Sequence, residues 1–337
     1  MLGTLTRTFC ARSIRSLQKC QMSTQSKLEG MAVAPFTPFS NNGEVDYTNF
    51  ERCVQYFEKS HFNGMFVNGT LAEGMSLSCK ERMKVAEKWK EVSDRLYIIL
   101  HIGTGNLKES QELAKHAEAI GIDAIAALPP TYHKPTTEEQ LVEYLEQVAA
   151  AAPNTPFLYY EYSATTGVYL KIPRFLQLAQ NRIPTLYGLK HTTPDLSSAL
   201  NCTKACNRKY KIFYGTETQY LPTLCLGIPD VITSPYMGKC FYNIKAEFEK
   251  GEMKHAQQLQ NRAQELINIQ VKHGGGIPSA KALFEIVSGI TMGLPRSPLP
   301  CLSHQVKDNM KKDLIEEGFL ASRSFTEEDY DSILLTY

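Results

Sequence analysis

The chain has 337 residues, with 36 Lys+Arg against 35 Asp+Glu, a balance that offers neither a basic field for nucleic acid nor an acidic tail. Hydrophobic residues make up 43% and charged residues 21%, an ordinary globular composition, and no apolar run approaches the ~18 residues of a membrane span. The expected partner is a small molecule, with no nucleic acid and no membrane.

Residues 1–28 stand apart. Arg7, Arg12, Arg15, Lys19 and Lys27 are basic, the first acid is Glu29, and Leu2, Leu5, Phe9 and Leu17 could line one side of a helix. That is the composition of a mitochondrial transit segment, and also of a disordered tail or an extension ahead of a start at Met22. The expected location is cytoplasmic, or mitochondrial if residues 1–28 act as an address.

From Glu29 onward, eight short apolar runs alternate with helical patterns. The runs lie at 30–36, 64–69, 96–103, 123–130, 156–161, 185–190, 211–215 and 230–234. Each is nearly continuous in apolar residues, as expected of parallel strands buried on both faces. Between them, Ser78 and Glu81 predict a capping box, as do Thr136 and Glu139. A helix beginning near Asn106 should end at Ile120, with Gly121 in the left-handed cap. Gly or Asn-Gly precedes the runs FNGMFV, GIDAIA and GIPDVI, a weak internal repeat.

Eight right-handed βα units predict an α/β fold, a (β/α)8 TIM barrel over 29–250 with its active site at the carboxyl ends of the strands. A doubly wound open sheet is the alternative, but no G-x-G-x-x-G follows the first run. Residues 251–337 read as a C-terminal helical extension, with helices at 252–271, 278–290 and 304–317.

The nine cysteines, at 10, 20, 53, 79, 202, 206, 225, 240 and 301, are scattered and odd in number. Reduced thiols in an intracellular protein account for them. Cys202 and Cys206 could share a helix face, but no His or second pair accompanies them, so no metal is expected. Asn68-Gly69-Thr70 and Asn201-Cys202-Thr203 fit the glycosylation pattern without an apolar signal peptide ahead of them.

The strand ends carry the candidate chemistry. The loop Asn68-Gly69-Thr70-Leu71-Ala72-Glu73-Gly74 offers backbone N–H groups and a hydroxyl that can hold a carboxylate, although a plain βα turn has the same look. Tyr160, in Tyr159-Tyr160-Glu161, is a candidate proton carrier or a packed aromatic. Lys190 ends the sixth run. Burial there would lower its pKa and free the amine to attack a carbonyl, whereas a snorkelling lysine would do neither. Gly215-Thr216-Glu217-Thr218 and Ser234-Pro235-Tyr236 add polar groups around the same mouth. His273-Gly274-Gly275-Gly276 lacks a following Lys-Ser/Thr and reads as a connection, not a phosphate loop.

Together these residues resemble the N-acetylneuraminate lyase branch of the dihydrodipicolinate synthase-like aldolases, from about Leu28 to about Leu299. The family's G-[ST]-[ST]-G-E loop corresponds to Gly69-Thr70-Leu71-Ala72-Glu73, its Tyr motif to Tyr160 with Gly167 and Val168, and its lysine motif to Lys190 in GLKHT with Thr192 two residues on. The resemblance implies class I aldolase chemistry. Lys190 forms the imine of a 2-keto acid, Thr70 and the N–H groups of the loop hold its carboxylate, and Tyr160 moves the proton. It also implies no cofactor and a homotetramer, with Tyr132 a candidate for reaching a neighbour's site.

The chain departs from the family at Leu71, Ala72 and Thr218. An Asp-Glu pair that reads the sugar tail in the lyases is Glu217-Thr218 here, while Gly215 and Ser234 match. Imine chemistry is therefore better supported than sialic acid as the substrate. The expected activity is cleavage of N-acetylneuraminate to N-acetylmannosamine and pyruvate. The alternatives are a pyruvate-dependent aldolase for another 2-keto acid, such as 4-hydroxy-2-oxoglutarate, and a silent keto-acid-binding barrel.

Overall fold

The computed structural model describes residues 28–320. The transit-like reading of the N-terminal stretch, the part of the helical extension past Leu320, and Cys10 and Cys20 lie outside the described residues.

Eight parallel strands pair in sequence order and close: β1 (Met31–Val33), β2 (Gly64–Val67), β3 (Tyr97–His101), β4 (Ala124–Ala127), β5 (Phe157–Glu161), β6 (Leu186–His191), β7 (Lys211–Tyr214) and β8 (Val231–Thr233), with β8 returning to β1. Each falls within one of the eight apolar runs, β6 running one residue further. Period-two alternation sorts their side chains. Ala32, Phe66, Ile99, Ala126, Leu158, Tyr160, Phe213 and Ile232 fill the barrel interior. Val33, Met65, Ile98, Ile125, Tyr159 and Leu189 point outward against the helices. The interior is thus packed by side chains in layers, as closure of eight strands requires.

The outer layer is α1 (Phe50–Lys59), α2 (Cys79–Val92), α3 (Leu107–Ala119), α4 (Glu138–Ala149), the short α5 (Ser163–Thr166), α6 (Ile172–Ala179), α7 (Leu196–Lys204), α8 (Tyr220–Cys225) and α9 (Gly238–Glu249). Apolar residues at helical spacing bury one face of each, as Phe50, Cys53, Val54 and Phe57 do in α1. The single tryptophan, Trp89 of α2, packs on Phe50 with ring centroids 4.3 Å apart. The Ser78–Glu81 capping box forms as expected. The second predicted box shifts by one residue: Thr137, not Thr136, caps α4 by accepting from the Gln140 N–H, and the Gln140 side chain takes the Thr136 N–H at 2.8 Å. Consecutive threonines made either position chemically suitable, and the chain uses the one that lets Gln140 reach back. Gly121 adopts the left-handed conformation after α3, at φ 71°.

Beyond the barrel come α10 (Met253–Lys272), α11 (Gly276–Ser288) and α12 (His304–Glu316). Helix α11 is buried along most of its length, and its Phe284 packs among Phe36, Tyr56 and Phe57 at centroid distances of 5.7, 5.3 and 6.4 Å. The C-terminal helices therefore share the core of the barrel's first βα unit.

Cys202 and Cys206 do not share a helix face. Helix α7 ends at Lys204, and Cys206 lies beyond it in left-handed backbone, φ 50°. Among the described residues, no cluster of three His, Cys, Asp or Glu could hold a metal ion, and no helix is long and apolar enough to cross a membrane.

Candidate active site

Strand alternation turns Lys190 into the barrel. Its register partners are Tyr160 on β5 and Phe213 on β7. The Lys190 Nζ sits 4.1 Å from the Phe66 ring centroid and 4.4 Å from that of Tyr160. Only 5% of the residue is exposed. Burial pushes the amine from its ordinary 10.5 down to about 7, with the Glu217 charge pulling the other way. Desolvation wins because, among the described residues, no carboxylate pairs directly with the amine, so a large share of the lysine is neutral near pH 7.

Tyr160 lies beside it, and its phenol oxygen is 3.0 Å from Thr70 Oγ1, where either group can donate. Burial pushes the phenol well above the usual tyrosine value, so the side chain stays protonated. The same alternation sends Glu161 and His191 to the outside of the barrel. There Glu161 accepts from the Ser163 N–H at 3.0 Å and from Thr193 Oγ1 at 2.7 Å. Glu161 ties the ends of β5 and β6 together and takes no part in the cavity.

The loop after β2 is wound tightly. Asn68 and Glu73 both adopt left-handed backbone, φ 57° and 54°, and the Glu73 and Gly74 N–H groups donate to Thr70 and Gly69 carbonyls. A Cβ on Gly74 would fall 1.9 Å from the Asn68 carbonyl oxygen, so only glycine fits. Those bonds leave the N–H groups of Thr70 and Leu71 outside the turn's own ladder, and both residues line the cavity.

Three buried groups brace this loop from below. The Leu128 N–H donates to His101 Nε2 at 3.3 Å, which puts the ring's proton on Nδ1, and Nδ1 donates to the Asn68 carbonyl at 2.9 Å. Burial, then the nearby Arg82 charge, holds His101 well below the usual histidine value, so the ring is neutral. The Asn68 side-chain amide donates to the Arg82 carbonyl at 3.0 Å, while the Arg82 guanidinium donates to the Gly103 carbonyl at 2.9 Å. Thr37 donates its hydroxyl to the Ala72 carbonyl at 2.7 Å.

Lys190 and the loop open onto one cavity of about 480 Å³. All nine residues singled out from the sequence line it: Thr70, Leu71, Tyr160, Lys190, Thr192, Gly215, Glu217, Thr218 and Ser234. Gly215 is needed where it stands, because a Cβ there would come within 2.5 Å of Thr192 Oγ1. Thr192 Oγ1 is buried without a close hydrogen-bond partner among the described residues, yet it stands near enough to the Tyr160 phenol to lower its pKa, so it borders the reacting centre and can meet a ligand there. Glu217 is already engaged: its Oε1 accepts from Thr233 Oγ1 at 2.8 Å and from the Ser234 N–H at 2.6 Å.

Sequence reasoning missed the opposite wall, which comes from the C-terminal helices. Ile267 and Gln270 of α10 and Gly276, Ile277 and Ala280 of α11 line the cavity. The glycine run, read as a connection, is the turn that folds α11 back over the barrel mouth, with Gly274, Gly275 and Gly276 all at positive φ. Nothing local in that run signals proximity to a site 86 residues earlier in the chain, at Lys190.

Comparison with known proteins agrees with this geometry. Residues 27–317 match the dihydrodipicolinate synthetase family. Human N-acetylneuraminate lyase is 38% identical over 309 residues, covering 90% of this chain and 96% of that protein; the mouse enzyme is 37% identical over the same length, covering 90% and 97%. The solved structure of N-acetylneuraminate lyase (sialic acid aldolase) from Aliivibrio salmonicida superposes with a TM-score of 0.84 at 32% identity, covering 88% of this chain and 99% of that one.

Proposed function

We propose that this chain, which belongs to the dihydrodipicolinate synthetase family, is a class I aldolase that cleaves N-acetylneuraminate to N-acetylmannosamine and pyruvate through a Schiff base on Lys190. The observation that carries the reading is the buried Lys190 amine, held near neutrality at the floor of a cavity beside a protonated phenol.

The neutral amine attacks C2 of the open-chain 2-keto acid, and loss of water leaves a protonated imine. The hydroxyl on C4 gives up its proton, the C3–C4 bond breaks, and its electron pair moves into the imine to form an enamine while the aldehyde departs. Protonation at C3 and hydrolysis release pyruvate and restore the amine. The steps balance without a metal or organic cofactor. Tyr160 is the proton carrier, and because its phenol is protonated at rest, it can take the C4 proton only while passing its own onward. Thr70, 3.0 Å away, receives it while passing its own hydroxyl proton to the substrate carboxylate held by the loop, and the reverse relay through Tyr160 returns that proton to C3 of the enamine. The substrate carboxylate takes the N–H groups of Thr70 and Leu71, with the Thr192 hydroxyl as a further donor.

Incubation with pyruvate and borohydride tests the reading. One reduced adduct on the Lys190 peptide is expected; an adduct elsewhere, or none, removes the mechanism.

A second reading, an aldolase for a shorter 2-keto acid, draws on Glu217 and Thr218. Glu217 spends one carboxylate oxygen on β8, and Thr218 has no charge to offer a polyol tail. The proposed assembly is a homotetramer, with Tyr132, 89% exposed on the β4–α4 connection, reaching a neighbour; sedimentation of the full chain and of Tyr132→Ala tests it. A cytoplasmic or mitochondrial location fits the unpaired thiols of the described cysteines, and cell fractionation decides between them.

A further inference from the structure

We propose that Lys281 of the C-terminal helix α11 is a positioning residue for the carboxylate-holding loop, acting through a buried ion pair with Glu73. The inference rests on the aldolase reading for its consequence, but the pair itself is independent of it.

Glu73 is fully buried, and so is its partner. The side chain of Glu73 is 0% exposed and that of Lys281 1%, and the Nζ–Oε1 distance is 3.1 Å. The second carboxylate oxygen accepts the Arg296 N–H at 2.7 Å. Both oxygens of Glu73 are therefore held by the segment C-terminal to the barrel, 208 and 223 residues further along the chain. Lys281 Nζ lies 4.4 Å from the Phe39 ring centroid, and the Arg296 guanidinium lies 4.6 Å from the same centroid. Burial lowers its pKa, and Glu73 opposes the shift.

The carboxylate holds a residue in an unfavourable conformation. Glu73 has a positive φ without being glycine, a state that persists when surrounding contacts over-determine it. That conformation closes the turn through which Thr70 and Leu71 present their N–H groups. The residue before Lys281, Ala280, lines the same cavity, so α11 forms part of the wall and anchors the loop on the facing side. A single buried helix thus sets the distance between the carboxylate site and the opposite wall.

A merely structural ion pair would differ in a measurable way. Removing one partner strands a buried charge, whereas neutralising both with residues of similar volume removes that penalty. The variant Glu73→Gln/Lys281→Met should fold with close to parental thermal stability. It should nevertheless require roughly tenfold or more pyruvate for half-maximal trapping on Lys190, the loss expected when a charge-assisted network around a carboxylate loosens. Turnover at saturating substrate should also fall, because the loosened loop carries the Thr70 relay, but by less than KM rises, since Lys190, Tyr160 and the Thr70 hydroxyl are all retained. Amide hydrogen exchange at Thr70–Gly74 should accelerate in the same variant.

The two readings fail separately. If the parent traps no pyruvate, the aldolase reading falls, and the exchange rates still decide whether the pair holds the loop. If the double variant folds with parental half-saturation and parental exchange at Thr70–Gly74, the positioning role is overturned. Should that variant not fold, Glu73→Gln alone keeps an acceptor for the Arg296 N–H and strands only a lysine whose burial already favours the neutral amine. Half-saturation and exchange are then measured on it, and parental values for both overturn the role in the same way.

Discussion

Tyr160 and Thr70 share a hydrogen bond of 3.0 Å across the barrel interior, between the ends of strands that are not neighbours. Burial keeps the phenol protonated, so in the proposed mechanism this bond is the route by which its proton leaves as another arrives. The relation gives two variants with different expectations. Tyr160→Phe removes the carrier and should lower kcat by roughly 10²–10⁴-fold, the usual contribution of a positioned acid or base. Imine trapping with pyruvate, which breaks no carbon–carbon bond, should suffer much less. Thr70→Val keeps the volume but cuts the relay, and should depress kcat more than it weakens trapping. Near-normal turnover in Tyr160→Phe would take the phenol out of the mechanism.

The Lys190 amine, pushed down to about 7 by burial, predicts the acid limb of the pH profile. Below that value the free enzyme carries an ammonium that cannot attack a ketone, so kcat/KM should rise with pH and level off above about 7. Removing the Glu217 charge takes away the one contribution that raises the amine's pKa. Glu217→Gln should therefore move the acid limb to lower pH. A limb that stays in place, or moves up, would contradict this electrostatic account.

The same burial makes Lys190 a liability for stability. The unfolded chain holds its lysine proton up to about 10.5 and the folded one only up to about 7. The folded state therefore loses several kcal/mol below pH 7, and the loss fades as pH rises from 7 towards 10.5. Lys190→Met should be inactive and should melt higher than the parent at pH 6, with the gap narrowing by pH 10. Equal melting temperatures at pH 6 would show that the amine is better solvated than its position implies.

How much of this was legible in the sequence follows from how far apart the interacting residues lie. Strands such as Tyr97–His101 announce themselves because burial on both faces demands an unbroken apolar run. The placing of Lys190 and Tyr160 in one cavity followed from counting strands, since catalytic groups of a barrel sit at the strands' carboxyl ends. The Thr137 cap was missed by one residue because two threonines offer the same hydroxyl, and only backbone geometry chooses between them. The Glu73–Lys281 pair had no signal at all. Their separation is 208 residues, and a lysine in a helical pattern looks the same whether it meets water or a buried carboxylate.

Substrate choice turns on Glu217 and its neighbour. Glu217 Oε1 accepts from the Ser234 N–H and the Thr233 hydroxyl, so truncation to alanine would strand those donors and confuse recognition with damage. Glu217→Gln keeps an oxygen for both donors and removes only the charge. If the natural substrate is N-acetylneuraminate, its polyol tail loses a charge-assisted hydrogen bond of about 1.5–3 kcal/mol, and KM should rise roughly ten- to a hundredfold. Thr218→Glu should then lower KM or leave it unchanged, by adding an acceptor on the same wall of the cavity. If the natural substrate is a shorter 2-keto acid, no tail reaches Glu217, and neither change should alter its KM. The measurement is kcat/KM for N-acetylneuraminate and 4-hydroxy-2-oxoglutarate on the parent and both variants. Poor cleavage of N-acetylneuraminate by the parent, alongside rapid cleavage of the short acid, would transfer the assignment to the second reading while leaving the Lys190 imine in place.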